Sequence, residues 1–430
     1  MLDASNGGLK GIRIFRFGLI YKEGGGIETH LNTVEQLILE RNKAVIIRAY
    51  EKGPKDCINP IIEKIGKGEL IWIPFEPLVN RYLNPLPLFQ LCLSLNKTKI
   101  NNKLIKIMNY SLKKVRPYIP NWLYSNYRNL DLFVKQLYQQ YNFDLAVIHT
   151  LSGTDEMQVI NQLRELDVPI CMIYHFDPKR LKHPIVKLMT TKADAIGAVA
   201  INGAPRVYRN KLKLIVEGVD CDYFDPEKAT ENNFKKQNKI IFMPARIHPA
   251  KGHLDAVRAL NLIKKREINA VLAFAGRIED SSAFKELTSL LNSLNLEDSV
   301  LMLGELNKEK LREWYAKSDI VILPSYSEGL PRTILEAQLM ERPVVAYDVG
   351  GVSEGIIDGV TGFLIEKGNV IELASRIARL LTDDDLRKEM GEKGRIFVSQ
   401  KFSLEKMVRS HENLYLEALM KHKFKAKKNN

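Results

Sequence analysis

Cysteine is scarce in this chain. The 430 residues include four cysteines, which are far apart and form no CxxC motif: Cys57, Cys92, Cys171 and Cys221. Structural zinc sites and small disulfide-bonded domains depend on cysteines at characteristic spacings, so neither is expected. The cysteine content instead favours a protein of a reducing compartment.

Long apolar runs are also missing. No stretch approaches the roughly 18 consecutive apolar residues that a membrane-spanning helix requires. The first residues, MLDASNGGLKGIRIF, lack the apolar core that follows the basic end of a signal peptide. We therefore expect a cytoplasmic protein without a membrane span.

Acidic residues are absent from two segments, and this absence explains the net charge of +13. The segment between Pro77 and Leu130 has nine basic residues and no acidic one: Arg81, Lys97, Lys99, Lys103, Lys106, Lys113, Lys114, Arg116 and Arg128. The last ten residues, KHKFKAKKNN, add five lysines. Of the 64 basic residues, 50 then remain against 51 acidic ones. The positive charge is therefore local.

The basic segment between Arg81 and Arg128 also contains many leucines, and aromatic residues follow at Tyr118, Trp122 and Tyr124. Lysines beside apolar groups are typical of a helix that lies in a membrane interface, where anionic lipid attracts the basic side chains. The alternative is an ordinary helical subdomain with a solvated basic face. A nucleic-acid partner is disfavoured because no recognition module accompanies the charge. We expect an anionic membrane surface to be contacted through Arg81–Arg128 and the lysine tail.

The length and the order of predicted elements indicate two α/β domains. Short apolar runs alternate with helical patterns, which predicts parallel, doubly wound sheets. The predicted domains are residues 1–221, with a basic amphipathic insertion at about 76–142, and residues 222–400. Residues 401–430 are predicted to form a final helix and the basic tail. The polar stretch from Asp222 to Asn238 is the predicted linker.

The stretch from Asp319 to Glu354, DIVILPSYSEGLPRTILEAQLMERPVVAYDVGGVSE, carries the strongest functional signal. It predicts a buried strand, a loop with Glu328, and a helix from Arg332 to Leu339 that contains Glu336. Carboxylates can accept hydrogen bonds from ligand hydroxyls, while the N–H groups at a helix start bind phosphates. The alternative is a surface loop whose acid complements the helix dipole.

A second pair of charged residues follows the predicted strand IIFMPA. Arg246 and Lys251 combine a rigid guanidinium fork with a mobile point charge, and together such groups can neutralise a diphosphate. The alternative is two solvated bases at a helix start, where cations oppose the helix dipole.

Two histidines, His149 and His175, end predicted strands, and doubly wound sheets bind ligands at that edge. Each histidine can equally be a hydrogen-bonded residue at the margin of the core. The glycines Gly24, Gly25 and Gly26 precede a predicted helix, and by themselves they favour only a flexible turn.

These motifs together resemble the retaining GT-B glycosyltransferases of the family 4 type, also called glycosyl transferases group 1. The resemblance rests on Glu328 and Glu336 with seven residues between them, on SEGLPR and LEA, and on PVVAYDVGG followed by Ser353-Glu354. It implies two Rossmann-like domains that face a central cleft, with the last helices crossing back to the first domain. It also implies a UDP- or GDP-sugar donor, retention of configuration and no metal or other cofactor.

The resemblance assigns roles residue by residue. Ala245-Arg246-Ile247, three residues and Lys251-Gly252 match a pyrophosphate clamp, and Gly25-Gly26-Ile27-Glu28 matches a phosphate loop. Glu217-Gly218-Val219-Asp220 departs from the usual Asn-Gly-Val-Asp. The implied catalytic residues are Glu328, Arg246, Lys251 and His149. The implied donor-binding residues are Gly25, Gly26, Arg246, Lys251, Gly304, Glu328, Gly329, Leu330, Thr333, Ile334 and Glu336.

The expected activity is transfer of a hexose-type sugar to a lipid-linked or oligosaccharide acceptor, in surface polysaccharide biosynthesis at the cytoplasmic membrane. A sugar-nucleotide epimerase of the same architecture and a non-catalytic basic adaptor are the alternatives. Asp220-Cys221-Asp222 imitates a metal-binding DxD motif, but it lies at the domain junction, and Arg246 and Lys251 already supply positive charge. We therefore expect no metal site there.

Overall fold

A computed structural model gives the fold. It describes residues 9, 11–17, 26–41, 44–50, 61–74, 134–150, 155–175, 184–202, 204–229 and 238–429. The basic segment between Arg81 and Arg128, Gly25 and residues 230–237 of the predicted linker lie outside these residues. The boundary between residues 221 and 222 stays a prediction.

The first half of the described chain builds an eight-stranded sheet in the order β3-β4-β2-β1-β5-β6-β7-β8. All neighbouring strands are parallel except β3 and β4, which are antiparallel. The strands are β1 (Arg13–Phe17), β2 (Val45–Tyr50), β3 (Ile61–Ile65), β4 (Gly68–Pro74), β5 (Leu145–Thr150), β6 (Ile170–Tyr174), β7 (Ala195–Ala198) and β8 (Leu212–Leu214).

Helices pack against this sheet because its central strands are apolar on both faces. They are α1 (Gly26–Arg41), α2 (Asp155–Glu165), α3 (Pro184–Lys192) and the short α4 (Arg206–Arg209). Residues 134–141 are also helical. Successive residues of β5 enter different cores: Ile148 packs with Phe15 on one face of the sheet, and Val147 packs with Ile14 on the other.

The second half builds a six-stranded, all-parallel sheet in the order β11-β10-β9-β12-β13-β14. The strands are β9 (Lys239–Pro244), β10 (Ala270–Ala275), β11 (Val300–Met302), β12 (Ile320–Leu323), β13 (Val344–Tyr347) and β14 (Gly362–Ile365). The strand order reverses direction at β9, between β10 and β12. Doubly wound sheets bind ligands at such a switch point, beyond the carboxyl ends of the strands.

Seven helices of the described chain surround the second sheet. They are α5 (His253–Lys264), α6 (Ser281–Leu294), α7 (Lys308–Lys317), α8 (Arg332–Leu339), α9 (Val352–Gly355), α10 (Val370–Thr382) and α11 (Asp384–Lys401). Helix α8 has the predicted bounds. Asp383 caps α11, because its side chain accepts a hydrogen bond from the Leu386 N–H.

The last helix, α12 (Leu404–Asn429), returns to the first sheet. Val219 pairs with Ser403 just before it, and Met407, Leu414 and Leu419 enter the same core as Ile14. Gly218 allows this approach, because a Cβ there would lie 2.7 Å from the Met407 Cβ. The return of the C-terminal helices to the first domain is therefore confirmed.

The lysine tail forms the last turns of α12, since this helix continues to Asn429 and not only to Met420. His422 lies 3.3 Å from Asp167, and Lys425 lies 3.0 Å from Asp194. These acids precede β6 and β7, so the tail lies at the amino edge of the first sheet. The predicted ligand edge is the opposite one.

Two strands, β3 and β14, are absent from the sequence prediction. The first, IIEKI, includes two charged residues, and the second, GFLI, has only three consecutive apolar residues after its glycine, so neither stands out as an apolar run. None of the helices in the described part of the chain is both long and apolar enough to cross a bilayer.

Candidate functional site

The carboxyl edges of the two sheets meet, and the meeting segments hold most of the predicted site. Glu354 of α9 accepts hydrogen bonds from the N–H groups of Ile201 and Asn202, which follow β7, at 2.5 and 2.8 Å. A Cβ on Gly329 would lie 2.8 Å from the His175 carbonyl oxygen. Glycine at position 329 therefore allows the loop after β12 to approach the end of β6.

The loop that carries Glu328 interlocks with the loop after β13. The Gly351 N–H donates to the Gly329 carbonyl at 2.8 Å. Gly350 has φ +55°, and a Cβ there would lie 1.8 Å from the Glu328 carbonyl oxygen. Position 350 thus needs glycine for its conformation and for space, and this requirement fixes the backbone at Glu328.

Lys251 and Glu328 form an ion pair at the switch point. The Lys251 Nζ lies 2.7 Å from Glu328 Oε1, and their side chains are 19% and 11% exposed. Lys251 ends a 3₁₀ turn, Pro249–Lys251, and Gly252 follows with φ +75°. A Cβ on Gly252 would lie 1.9 Å from the Pro324 carbonyl oxygen, so glycine brings the lysine loop against the carboxylate loop.

Arg246 lies in the loop directly after β9 and pairs with Glu279 at 2.5 Å. Ile247 pairs with Ile278, so the loop after β10 runs beside the arginine loop. Arg246 is half exposed, whereas Lys251 is mostly buried. The two basic residues of the predicted clamp therefore follow the same strand, and each has a carboxylate beside it.

Asp255 braces these loops, and the sequence analysis did not identify it. Its Oδ2 accepts hydrogen bonds from the hydroxyls of Tyr326 and Tyr347 at 2.7 and 2.8 Å. The hydrogen bond to Asp255 and burial raise the pKa of Tyr326 to about 12, so its hydroxyl stays a donor at neutral pH. Burial and the same bond also raise the pKa of Tyr347. The only sequence feature that pointed to this contact was a tyrosine, Tyr326, two residues before Glu328.

Glu336 lies in a buried group of polar side chains. Its Oε2 accepts from the Tyr315 hydroxyl at 3.1 Å, and its Oε1 lies 3.6 Å from the Nε of Arg332. The Nη1 of Arg332 lies 3.8 Å from Glu217, which is also buried. Burial, followed by the charge of Glu336, raises the pKa of the Tyr315 hydroxyl well above its usual value.

His149 and His175 form a hydrogen-bonded pair across the ends of β5 and β6. The His149 Nδ1 lies 2.8 Å from the His175 Nε2, and both rings are buried. The contact places both strand-end histidines at the edge that faces the second sheet. The contact of His149 with a sugar stays a prediction.

The other predicted donor-binding residues lie in several parts of the fold. Leu330 and Ile334 are buried in the second core, so only their backbone groups could meet a donor. The Thr333 hydroxyl donates to the Pro244 carbonyl at 3.5 Å, and Gly304 accepts from the Gly276 N–H at 2.7 Å. Gly26 is the first residue of α1, and Gly25 lies outside the described residues.

The predicted DxD look-alike has a structural role at its first residue. Asp220 accepts a hydrogen bond from the Tyr223 N–H at 3.0 Å and so closes a turn. Among the described residues, no group of three or more histidine, cysteine, aspartate or glutamate side chains could hold a metal ion.

Known proteins are similar to this chain in sequence. The family model for glycosyl transferases group 1 matches residues 224–397. A glycosyltransferase of Methanocaldococcus jannaschii is 30% identical over 59% of this chain and 70% of its own length. The N-acetyl-alpha-D-glucosaminyl L-malate synthase of Bacillus anthracis is 32% identical over 44% of this chain and 48% of its own. The capsular polysaccharide biosynthesis glycosyltransferase CapM of Staphylococcus aureus is 26% identical over 55% and 59%. The chain thus spans about half the length of the last two.

Solved structures are similar over nearly the whole chain. Sucrose-phosphate synthase of Thermosynechococcus elongatus has a TM-score of 0.70 at 19% identity and covers 94% of this chain and 98% of its own. HepE of Anabaena in complex with UDP-glucose has a TM-score of 0.65 at 19% identity, over 94% and 99%. These likenesses confirm the predicted GT-B fold. With the sequence relatives, they lead to one conclusion: the chain belongs to the glycosyl transferases group 1 family of GT-B glycosyltransferases.

Proposed function

We propose that this chain transfers a hexose-type sugar from a nucleotide-sugar donor to a glycan acceptor. The observation that carries the proposal is the pairing of Lys251 with Glu328 at the switch point of the second sheet, with Arg246 in the same segment after β9. Cations for a diphosphate and a carboxylate for sugar hydroxyls thus lie within reach of one ligand.

In the proposed reaction, Arg246 and Lys251 offset the charge that develops on the leaving diphosphate. Glu328 orients the sugar hydroxyls, Glu336 accepts from the ribose, and His149 contacts the sugar from the opposite domain. Among the residues that the structure describes, no side chain stands out as a nucleophile, so we expect departure and attack on the same face of the sugar, with retention of configuration. In this proposal, Arg246 and Lys251 supply the positive charge that a metal ion would otherwise provide.

The similar proteins support this choice of donor and product. HepE of Anabaena binds UDP-glucose, and CapM of Staphylococcus aureus is named for capsular polysaccharide biosynthesis. We therefore propose a UDP-sugar as the first donor to test, a GDP-sugar as the second, and surface polysaccharide as the product class.

The acceptor in this proposal is a lipid-linked glycan at the cytoplasmic face of a membrane. Strand β4 ends at Pro74 on the carboxyl edge of the first sheet, and the basic segment follows it in the sequence. We infer that Arg81–Arg128 brings the cleft to an anionic surface. The lysine tail lies at the amino edge and points away from the cleft, so we no longer propose that it docks the cleft.

A thermal-shift screen with UDP-, GDP- and ADP-sugars tests the donor, because a ligand that binds only the folded state raises its stability. The sugar that raises the Tm is then supplied as a radiolabelled donor with a membrane extract as acceptor source. Transfer of label to lipid-linked material supports the proposal. Conversion of the donor without any acceptor would instead identify a sugar-nucleotide epimerase.

A further inference from the structure

Arg332 occupies a position that is unfavourable for a cation. It is the first residue of α8, where the helix dipole is positive, and only 15% of its side chain is exposed. Its Nη1 atom is buried and makes no hydrogen bond with any described residue. A buried arginine at a helix start needs compensation from nearby negative charge.

Two carboxylates provide this compensation from opposite sides. Glu217, between β8 and the domain junction, lies 3.8 Å from Nη1, and Glu336, on α8 itself, lies 3.6 Å from Nε. Both distances exceed hydrogen-bond length, so Arg332 acts on each carboxylate through its charge alone. The hydrogen bond from Tyr315 uses the other oxygen of Glu336, Oε2.

We propose that Glu217 and Arg332 are positioning residues for the nucleotide ribose and act through Glu336. This inference rests on the proposed function, in which Glu336 binds the ribose. The charge of Arg332 attracts the Glu336 carboxylate and so helps to hold its position. Glu217 draws the guanidinium toward the junction, so that it does not close on Oε1, and Oε1 can accept from a ribose hydroxyl. An asparagine at position 217 would lack the charge that this arrangement needs.

The test is isothermal titration of the full-length protein with UDP, GDP and ADP. Arg332→Gln leaves Glu336 near Glu217 without the intervening cation, so affinity for the preferred nucleotide should fall about tenfold. Glu217→Gln lets Arg332 close on Glu336, and affinity should fall about threefold. The double variant should lose no more than Arg332→Gln alone, because the proposed effect of Glu217 on the ribose site passes through Arg332. Independent effects would multiply to about thirtyfold.

Two further variants separate positioning from folding. Arg332→Lys keeps the charge and should retain affinity within about threefold of wild type. Arg376→Gln removes an arginine with the same spacing to a glutamate, Glu372 at 3.3 Å on α10, and should leave affinity unchanged. Unchanged affinity in Glu217→Gln and Arg332→Gln, or a thirtyfold loss in the double variant, would overturn the inference. Lack of binding of all three nucleotides by wild type would overturn the proposed donor as well. If Arg332→Gln does not fold, the nucleotide affinities of Glu217→Gln and Arg332→Lys test the inference by the changes given above.

Discussion

Lys251 and Arg246 have different surroundings, and this difference matters for their variants. Lys251 is mostly buried against Glu328, whereas the Arg246–Glu279 pair is close to half exposed. An exposed ion pair contributes little to stability, while removal of one partner from a buried pair leaves an uncompensated charge. Loss of Lys251 therefore affects the orientation of Glu328 as well as the proposed diphosphate contact.

Alanine substitution of either residue should lower kcat/KM by about 10²-fold or more, because a lost pre-positioned charge typically costs ~3 kcal/mol of transition-state stabilisation. Lys251→Ala should have the larger effect, for the reason just given. Steady-state kinetics with the identified donor measure both. Lys239→Ala is the control, since it removes an ion pair with Asp384 at the opposite end of β9. Wild-type turnover in either clamp variant would contradict the diphosphate assignment.

His253, the residue after Gly252, should make stability depend on pH. Burial, with a smaller effect of the Lys251 charge, lowers the pKa of His253 to about 4. An unfolded histidine has a pKa near 6.5, so between about pH 6.5 and 4 the unfolded chain binds more protons. Stability should thus fall as pH falls through this range, by at most about 3 kcal/mol.

The measurement is the Tm of wild type and His253→Leu at pH 7, 5.5 and 4.5. Leucine retains apolar packing against Phe274, which contacts the histidine ring. The variant should lose less Tm on acidification than wild type does. Parallel Tm curves for the two proteins would show that this histidine does not couple protonation to folding.

At the scale of elements, the sequence allows prediction where a pattern is long or chemically mixed. Helix α8 has the predicted bounds because Pro331 immediately precedes it and an apolar stripe continues through Leu339. The tail was predicted as a separate segment, since its lysines show no apolar stripe. It is helical because α12 is already packed on the first sheet, and Lys425 reaches Asp194 from a distant part of the sequence.

In the candidate site, too, some features could be predicted from the sequence and others could not. The loops with Lys251, Glu328 and the glycines were predicted because each follows a strand. The hydrogen bonds from Tyr326 and Tyr347 to Asp255 were not predicted, because they join three separate segments of the chain. Contacts between loops depend on the order of strands in the sheet, and local sequence patterns do not contain that order.

Gly350 tests whether the interlocked loops set the position of Glu328. Gly350→Ala and Gly359→Ala both place alanine at positive φ, +55° and +73°, and so share a strain of about 1–2 kcal/mol. Only at position 350 would the new Cβ meet the Glu328 carbonyl, since nothing lies within 4 Å at position 359. Gly350→Ala should lower kcat/KM at least about tenfold more than Gly359→Ala does. Equal kinetics in the two variants would rule out this role of the loop contact.

At the scale of the whole molecule, the lysine tail and the ligand-binding edge lie at opposite ends of the first sheet. The carboxyl edges of the two sheets meet through contacts such as Glu354 with Ile201 and Asn202, which define the cleft side. The lysine tail lies at the other end of the first sheet, beside Asp167 and Asp194. A membrane that faces the carboxyl edge would therefore lie at the opposite end of the first sheet from the tail. This geometry gives the two basic segments different predicted roles.

Replacement of Lys103, Lys106, Lys113 and Lys114 together by glutamine should release the protein from vesicles that contain anionic lipid. Each base near such a surface contributes ~1 kcal/mol, so four should weaken partitioning by about 10³-fold. Nucleotide affinity should not change, since these lysines are not among the predicted donor-binding residues. Glutamine at Lys421, Lys423, Lys427 and Lys428 is the matched control and should leave transfer to the lipid-linked acceptor intact.

Co-sedimentation at rising salt measures binding, which should weaken because exposed charges are screened within ~8 Å at physiological ionic strength. If the tail variant is released and the segment variant stays bound, the membrane meets the amino edge, and a lipid-linked acceptor could not reach the cleft by this docking.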